Sequence, residues 1–243
     1  MLAMLSDWFQ KHTPRLVTPQ CQLCQLPKQP KDTHPKWCNS CLSLFAHQHR
    51  CQRCGIKLDI DATVCGACLK TPPPWHRLYC VGDYDFPLSH YVHQMKYSGQ
   101  FWLCRDLVKL LASHIEQPAP IITSVPLHWR RYLHRGFNQS ALLADALAHQ
   151  LNSQSLTLFK RQRATPTQQG LSKTQRQHNL RNAFSLRNKD VMKVIAKGDA
   201  HVAIMDDVVT TGSTVYQLCQ LLLEVGVKRI DIYCICRTPE PAS

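Results

Sequence analysis

The chain predicts an α/β protein: a parallel sheet flanked by helices, preceded by a small cysteine-rich module. Three observations carry that expectation. From residue 78 onward, short apolar runs alternate with stretches of helical periodicity, the pattern of βαβ units. Eight of the 13 cysteines form four CxxC pairs before residue 70. A proline run, TPPPW (71–75), separates the two regions and favours a stiff, extended connection. The expected organisation is a cysteine module over 1–70, a Pro-rich linker over 71–77 and the sheet domain over 78–243.

Within the sheet domain the elements read in order. LYCVGDYDF (78–86) has strand character. FWLCRDLVKLLASHI (101–115) repeats Leu103, Leu107, Leu110, Leu111 and His114 at helical spacing. IITSVP (121–126) is a short buried strand, and NQSALLADALAHQL (138–151) a helix with Asn138 as N-cap. LTLFKR (156–161) and HVAIMD (201–206) read as strands. STVYQLCQLLLEVG (213–226) is a helix stopped by Gly226, and RIDIYCIC (229–236) a last strand. The polar, basic stretch 161–184 is long for an ordinary connection, and 185–200 has room for one short helix.

The hydrophobic fraction, 44%, supports a sizeable core, and no run approaches the ~18 apolar residues of a transmembrane helix. The first 15 residues carry Asp7 and Lys11 around too short an apolar stretch for a signal peptide, so a cytoplasmic protein without membrane insertion is expected. There thiols stay reduced, and paired cysteines point to metal rather than disulfides. Cys21/Cys24 with Cys38/Cys41, and Cys51/Cys54 with Cys65/Cys68, have zinc-ribbon spacing. Each CxxC turn offers two sulfurs, and two turns close a tetrahedral structural site. Two structural Zn²⁺ ions are expected, their ligand turns taken in order or crossed. A redox role suits one dithiol but not four. Gly55 and Gly66 fit the tight backbone of such knuckles. Cys80, Cys104, Cys219, Cys234 and Cys236 read as small core residues. Trp37 and Trp75 flank the module and read as packing residues, with stacking on nucleic-acid bases as the alternative.

The formal charge is +13, and two tetrathiolate zinc sites would lower it to about +9. Between Arg130 and Arg187 ten basic residues face one acid, Asp145, which favours anions such as phosphates, pyrophosphate or nucleic acid; a solvated basic surface is the alternative that charge alone leaves open. Against that background VAIMDDVVTTGST (202–214) stands out. Its apolar strand ends in Asp206 and Asp207; Val208, Val209, Thr210, Thr211, Gly212, Ser213 and Thr214 then open a helix. Ligands of parallel sheets bind beyond the carboxyl ends of strands. Gly212 lets amides approach an anion, the helix N-terminus adds partial positive charge, and the hydroxyls donate. The acids would repel phosphate but accept hydrogen bonds from sugar hydroxyls. A ribose 5-phosphate satisfies both halves.

This stretch resembles the 5-phosphoribosyl-1-pyrophosphate (PRPP) motif of the type I phosphoribosyltransferases. MKYSGQ (95–100), VPLHWRRYLHRGFNQS (125–140), TQQGLS, Arg176, Asn179, AF (183–184) and YCICRTP follow in the order of the ComF/GntX family, nearest to its GntX-type members. With the cysteine pairs in front, the resemblance covers nearly the whole chain. It implies a type I phosphoribosyltransferase-like domain behind a double zinc ribbon. It also implies a pyrophosphate loop at Val125, Pro126, Leu127 and His128, with Arg130, Arg131 and Arg135 forking onto phosphate oxygens. Gly136 would turn the chain, Asn138 and Gln139 would add neutral hydrogen bonds, and Phe137 would pack. Lys96 either contacts phosphate or snorkels at the surface. Thr165–Asn182 matches the mobile loop that covers PRPP, with Gln168, Arg176 and Asn179 on the family pattern. His128, His134 and His178 are acceptor-base candidates by proximity alone.

The implied chemistry is displacement of pyrophosphate from C1 of Mg²⁺-PRPP by a nitrogen nucleophile, through an oxocarbenium-like transition state. The family acts in natural transformation and use of external DNA, so single-stranded DNA and DNA-uptake proteins are candidate partners. The alternative is a non-catalytic factor that reuses the fold to handle single strands; a PRPP-sensing regulator is a third reading.

Overall fold

The computed structural model describes residues 19–162, 183–195 and 200–238. It divides into two compact units, Met1–Ala46 and His47–Ser243. The division falls after Ala46, not after residue 70, because the second pair of CxxC turns packs into the sheet unit. The amide of Leu78 donates to the carbonyl of Gln52 (2.8 Å), and Arg50 pairs with Asp83 at 2.7 Å. The Arg53 guanidinium donates to the carbonyls of Pro73 and His76. The proline run is therefore an internal strut of the larger unit, not a linker between units.

Both cysteine modules follow one plan. An isolated antiparallel bridge, Gln20–Pro27 or Arg50–Lys57, brackets the first CxxC turn. The second turn opens a short helix, α1 (Asn39–Leu42) or α2 (Gly66–Lys70), with Cys38 or Cys65 as an extended N-cap. Gly55 has φ +73° and lies tight against Leu78. Gly66 is different: it begins α2 with open space around it, so no tight knuckle backbone requires a glycine there. In the first unit the core is little more than Trp37, stacked on His34 (4.3 Å, 8°) and tilted against Phe45.

The larger unit continues β1 (Arg77–Asp83), α3 (Leu88–Tyr97), α4 (Cys104–Ala112), β2 (Ile121–Ser124), α5 (Trp129–Arg135), α6 (Gln139–Leu151) and β3 (Gln154–Ser155). Then come β4 (Phe159–Arg161), β5 (Phe184–Leu186), α7 (Asn188–Ile195), β6 (His201–Val209), α8 (Ser213–Glu224) and β7 (Arg229–Arg237). Five strands form a parallel sheet in the order β1-β7-β6-β2-β3, the α/β class the sequence predicts. Val202–Met205 and Ile230–Cys236 are buried without interruption, as strands covered on both faces must be. The five unpaired cysteines after residue 78 are all buried.

α6 forms where expected. Asn138 Oδ1 accepts from the amide of Ser140 (3.1 Å), a cap worth about 1 kcal/mol. Its face of Leu143, Ala144, Leu147 and Ala148 is buried, and the element packs on β2 and β6. Each fully buried leucine there contributes about 1.5–3 kcal/mol.

Three expectations shift. LTLFKR does not join the main sheet: after the two-residue β3 the chain turns away, the Leu158 amide takes the Thr123 hydroxyl (3.2 Å), and β4 pairs antiparallel with β5. α3 and α5 appear where motifs, not elements, were read. β6 runs on to Val209 because β7 pairs alongside it to the end, so the acid pair lies within the strand. No helix of the described residues is long and apolar enough to cross a membrane.

Candidate functional site

Strand order changes direction between β6 and β2: β6 leads to β7 on one side and β2 to β3 on the other. Such a switch point opens a crevice at the carboxyl ends of the strands. Here it is a cleft of about 500 Å³. Asp206, Asp207 and every residue from Val208 to Thr214 line it, together with Pro126, Leu127, Arg135 and Lys96. The acids and the hydroxyl turn therefore share one cavity. Arg130 lies on α5, its side chain outside what is described, as are the side chains of Arg131 and His134; Gln168, Arg176, Asn179 and His178 lie outside the described residues. His128 is buried, its ring against Trp129.

The two acids are held from different helices, as consecutive strand residues would be. Ser140, at the start of α6, donates its hydroxyl to Asp206 Oδ1 (2.9 Å). Lys96, in the last turn of α3, places Nζ 2.6 Å from Asp207 Oδ2. Lys96 is thus paired with Asp207 on the lining of the cleft, and its largely buried side chain does not snorkel at the surface. Burial opposes its charge, but Asp207 outweighs that and raises its pKa.

Burial, then the neighbouring charge of Asp207, pushes the Asp206 carboxyl up from 3.8 to about 7. A raised carboxyl contributes stability that is whole below its unfolded pKa and is lost as pH rises through the folded value. The free protein is therefore expected to lose thermal stability between about pH 4 and pH 7 through this group, and Asp206→Asn to flatten that slope in calorimetric melts.

The turn after Val209 carries hydroxyls on both sides of its glycine, and the Ser213 amide donates to the Thr211 hydroxyl at 3.4 Å. Gly212 is the N-cap of α8 at φ +74° and supplies no side-chain cap. Thr211 and Ser213 share a hydroxyl hydrogen bond of 2.8 Å beside the first helical turn. A Cβ at residue 212 would lie 3.2 Å from the Trp75 ring and force a left-handed alanine. Gly212→Ala is expected to cost about 1–2 kcal/mol of stability and to weaken ribose 5-phosphate binding, checked by thermal melts and titration calorimetry.

The cysteines assemble in order. Cys21, Cys24, Cys38 and Cys41 form one cluster and Cys51, Cys54, Cys65 and Cys68 the other, with all sulfurs of a cluster within 4.8 Å. The Cys24–Cys38 and Cys54–Cys65 sulfurs are 3.9 and 3.7 Å apart. A tetrahedron of ~2.3 Å zinc–sulfur bonds has edges of about 3.8 Å, so both tetrads fit Zn²⁺. Burial opposes ionisation of Cys21, but amides of Cys24, Cys38 and Leu23 outweigh it and bring the thiol to about 6. Cys51 is brought to about 7 in the same way by amides of Cys65, Cys54 and Arg53. These amides favour one thiolate in each tetrad, whereas burial and the neighbouring sulfurs push Cys41, Cys54 and Cys68 up.

A DNA utilization protein YhgH of Salmonella typhi is 40% identical over 231 residues, spanning 90% of this chain and 96% of that one. The chain belongs to the ComF/GntX family. Competence protein F of Haemophilus influenzae is 36% identical over 213 residues (82% of this chain, 90% of that one), and competence protein ComFC of Streptococcus pneumoniae 22% identical over the same length (82% and 87%). The phosphoribosyl transferase domain profile matches residues 138–243. Among solved structures, the allosteric regulatory enzyme of purine biosynthesis aligns only loosely, at 18% identity and a TM-score of 0.38, over 55% of this chain and 25% of that one. In this ComF/GntX chain the cleft also takes in Tyr84 after β1, Arg161 of β4 and Thr238 after β7, which sequence reading passed over. Their shared signal is position: two stand just past the carboxyl end of a sheet strand.

Proposed function

We propose that the cleft binds Mg²⁺-PRPP and that the protein transfers its phosphoribosyl group to a nitrogen acceptor in the use or uptake of external DNA. One observation carries the reading: the acid pair and the N-terminus of α8 line a single cavity of the ~300–1,000 Å³ usual for small-molecule sites. The amides and hydroxyls of Thr210–Thr214 take the 5-phosphate. Asp206 and Asp207 accept from the ribose hydroxyls, and Lys96 keeps the two acids from repelling the anion. Arg135 and the Pro126–Leu127 backbone face the pyrophosphate. The acceptor nitrogen gives its lone pair to C1 as the C1–oxygen bond breaks, pyrophosphate departs with that bond's electrons, and the acceptor's proton leaves to solvent. Mg²⁺ supplies neutralisation of the leaving charge. The tetrads hold two structural Zn²⁺ ions, and the setting is cytoplasmic.

The test is a screen of nucleobases and amines for pyrophosphate release from Mg²⁺-PRPP. Release with one acceptor, lost in Asp206→Asn/Asp207→Asn, supports transfer; tight PRPP binding with no release under any acceptor removes it.

A second reading, single-strand handling, has its own observation. Tyr97, Phe101 and Trp102 are exposed, and Arg135, which lines the cleft, stacks 5.2 Å over the Tyr97 ring. Aromatics interleaved with arginine are the platform on which bases stack. Quenching titrations with an oligothymidylate should then show a steep salt slope; binding absent at low salt ends this reading.

A further inference from the structure

Arg237 closes β7 and is 4% exposed. Its Nε donates to the carbonyl of Cys54 at 2.7 Å. Its Nη1 donates to the carbonyl of Val209 at 3.3 Å and, at closer range, to those of Thr210 and Thr238. One buried guanidinium thus joins a cysteine turn to the start of the hydroxyl loop. A second strut lies beside it. Trp75 donates its Nε1 hydrogen to the carbonyl of Arg53 at 2.5 Å, and its ring edge underlies Gly212. Arg53 and Cys54 are consecutive residues of the Cys51–Cys54 turn. Adjacent carbonyls of a single ligand turn are therefore tied to both ends of the loop that runs from Val209 to Gly212.

The energetics favour a working bridge over incidental packing. A buried guanidinium must be compensated, and all four of these partners are neutral carbonyls. A Zn²⁺ held by four thiolates carries two net negative charges, and the Cys54 backbone that Arg237 grips belongs to that tetrad. Moving the turn would move the carbonyls that fix the loop.

We propose that Arg237 and Trp75 are positioning residues that set the anion loop from the second cysteine tetrad, so that metal at Cys51, Cys54, Cys65 and Cys68 and phosphate at Thr210–Thr214 bind cooperatively. This rests on reading the loop as a phosphate site. Such coupling is reciprocal: each ligand tightens the other by the same factor.

The experiment uses the full chain with its zinc content measured. Mg²⁺-PRPP is titrated calorimetrically into wild type, Arg237→Met, Arg237→Lys and Trp75→Phe, and zinc release to a chromogenic chelator is timed with and without PRPP. Arg237→Met and Trp75→Phe are expected to weaken PRPP about fivefold or more while two zinc ions remain, with Arg237→Lys recovering part of the loss. PRPP is expected to slow release of one of the two zinc equivalents by a similar factor in wild type and not in Arg237→Met. Equal PRPP affinity across the zinc-replete variants overturns the proposal. If Arg237→Met does not fold, Trp75→Phe carries the same comparison. If wild type binds no PRPP, the reading of the cleft fails; the bridge is then judged by ligand-free zinc release, which it requires to be faster for one equivalent in Trp75→Phe, and which unchanged would overturn it.

Discussion

Asp206→Asn is expected to raise the melting temperature of the free protein and Asp207→Asn to lower it, although the two residues are neighbours in one motif. The difference lies in what each carboxylate faces. Asp207 holds Lys96 at 2.6 Å, with side chains 11% and 18% exposed. Removing one partner of a buried pair leaves the other charge uncompensated, at a cost of about 3 kcal/mol, the low end of the usual range because some solvent remains. Asp206 is the reverse case: burial and Asp207 disfavour its charge, so a neutral amide relieves the site near pH 8. A rise of about 2–4 °C corresponds to a gain of ~1 kcal/mol in a chain of this size. Ligand binding should not follow stability. Each carboxylate that accepts sugar hydroxyls is worth about 1.5–3 kcal/mol, so both variants should bind Mg²⁺-PRPP about tenfold or more weakly. A stabilised protein that no longer binds would mark Asp206 as strained for function. Equal heats from wild type and both variants would remove the ribose role; a higher melting temperature for Asp207→Asn would remove the Lys96 argument, and a lower one for Asp206→Asn the argument from burial.

What the sequence showed and what it hid divide along a physical line. Local chemistry was legible. α6 announces itself by the Asn138 cap and its spaced leucines, and β6 and β7 by apolar runs that only a doubly covered strand can hold. The acid pair and the glycine turn sit within one short stretch, so their shared cleft was legible too. α3 could have been found: Leu88, Tyr91, Val92 and Met95 have helical spacing and are buried, but the histidines and glutamine between them dilute the signal. What joins Lys96 to Asp207, Ser140 to Asp206 and Arg237 to Cys54 was not legible, because each contact is made by the order of strands in the sheet. The unit boundary misled for a related reason. Composition changes at the proline run, but hydrogen bonds from Arg53 and strand β1 place that run inside the larger unit.

Zinc removal is expected to have the largest effect of all, and a different one in each unit. In Met1–Ala46 the described buried residues are Cys21, Trp37, Cys41 and Phe45, too few to hold a chain of this length without metal. The tetrad there supplies the core, and structural zinc in such modules is worth about 10–16 kcal/mol of binding that is also folding. Stripping it should unfold the module outright. The second tetrad sits on a five-stranded sheet with its own core, so its loss should release the knuckle while the sheet remains. Two tryptophans report the two events separately. Trp37 is 1% exposed and stacked on His34; Trp75 is 6% exposed and bonded to Arg53. With a chelator, the Trp37 emission, taken as the difference between wild type and Trp37→Phe, should shift red to that of a solvated indole. The Trp75 emission, taken as the difference between wild type and Trp75→Phe, should shift only in part, and far-ultraviolet dichroism should keep most of its helical signal. Loss of all helical signal on stripping would show that the sheet depends on metal, and an unshifted Trp37 would show that the first module does not.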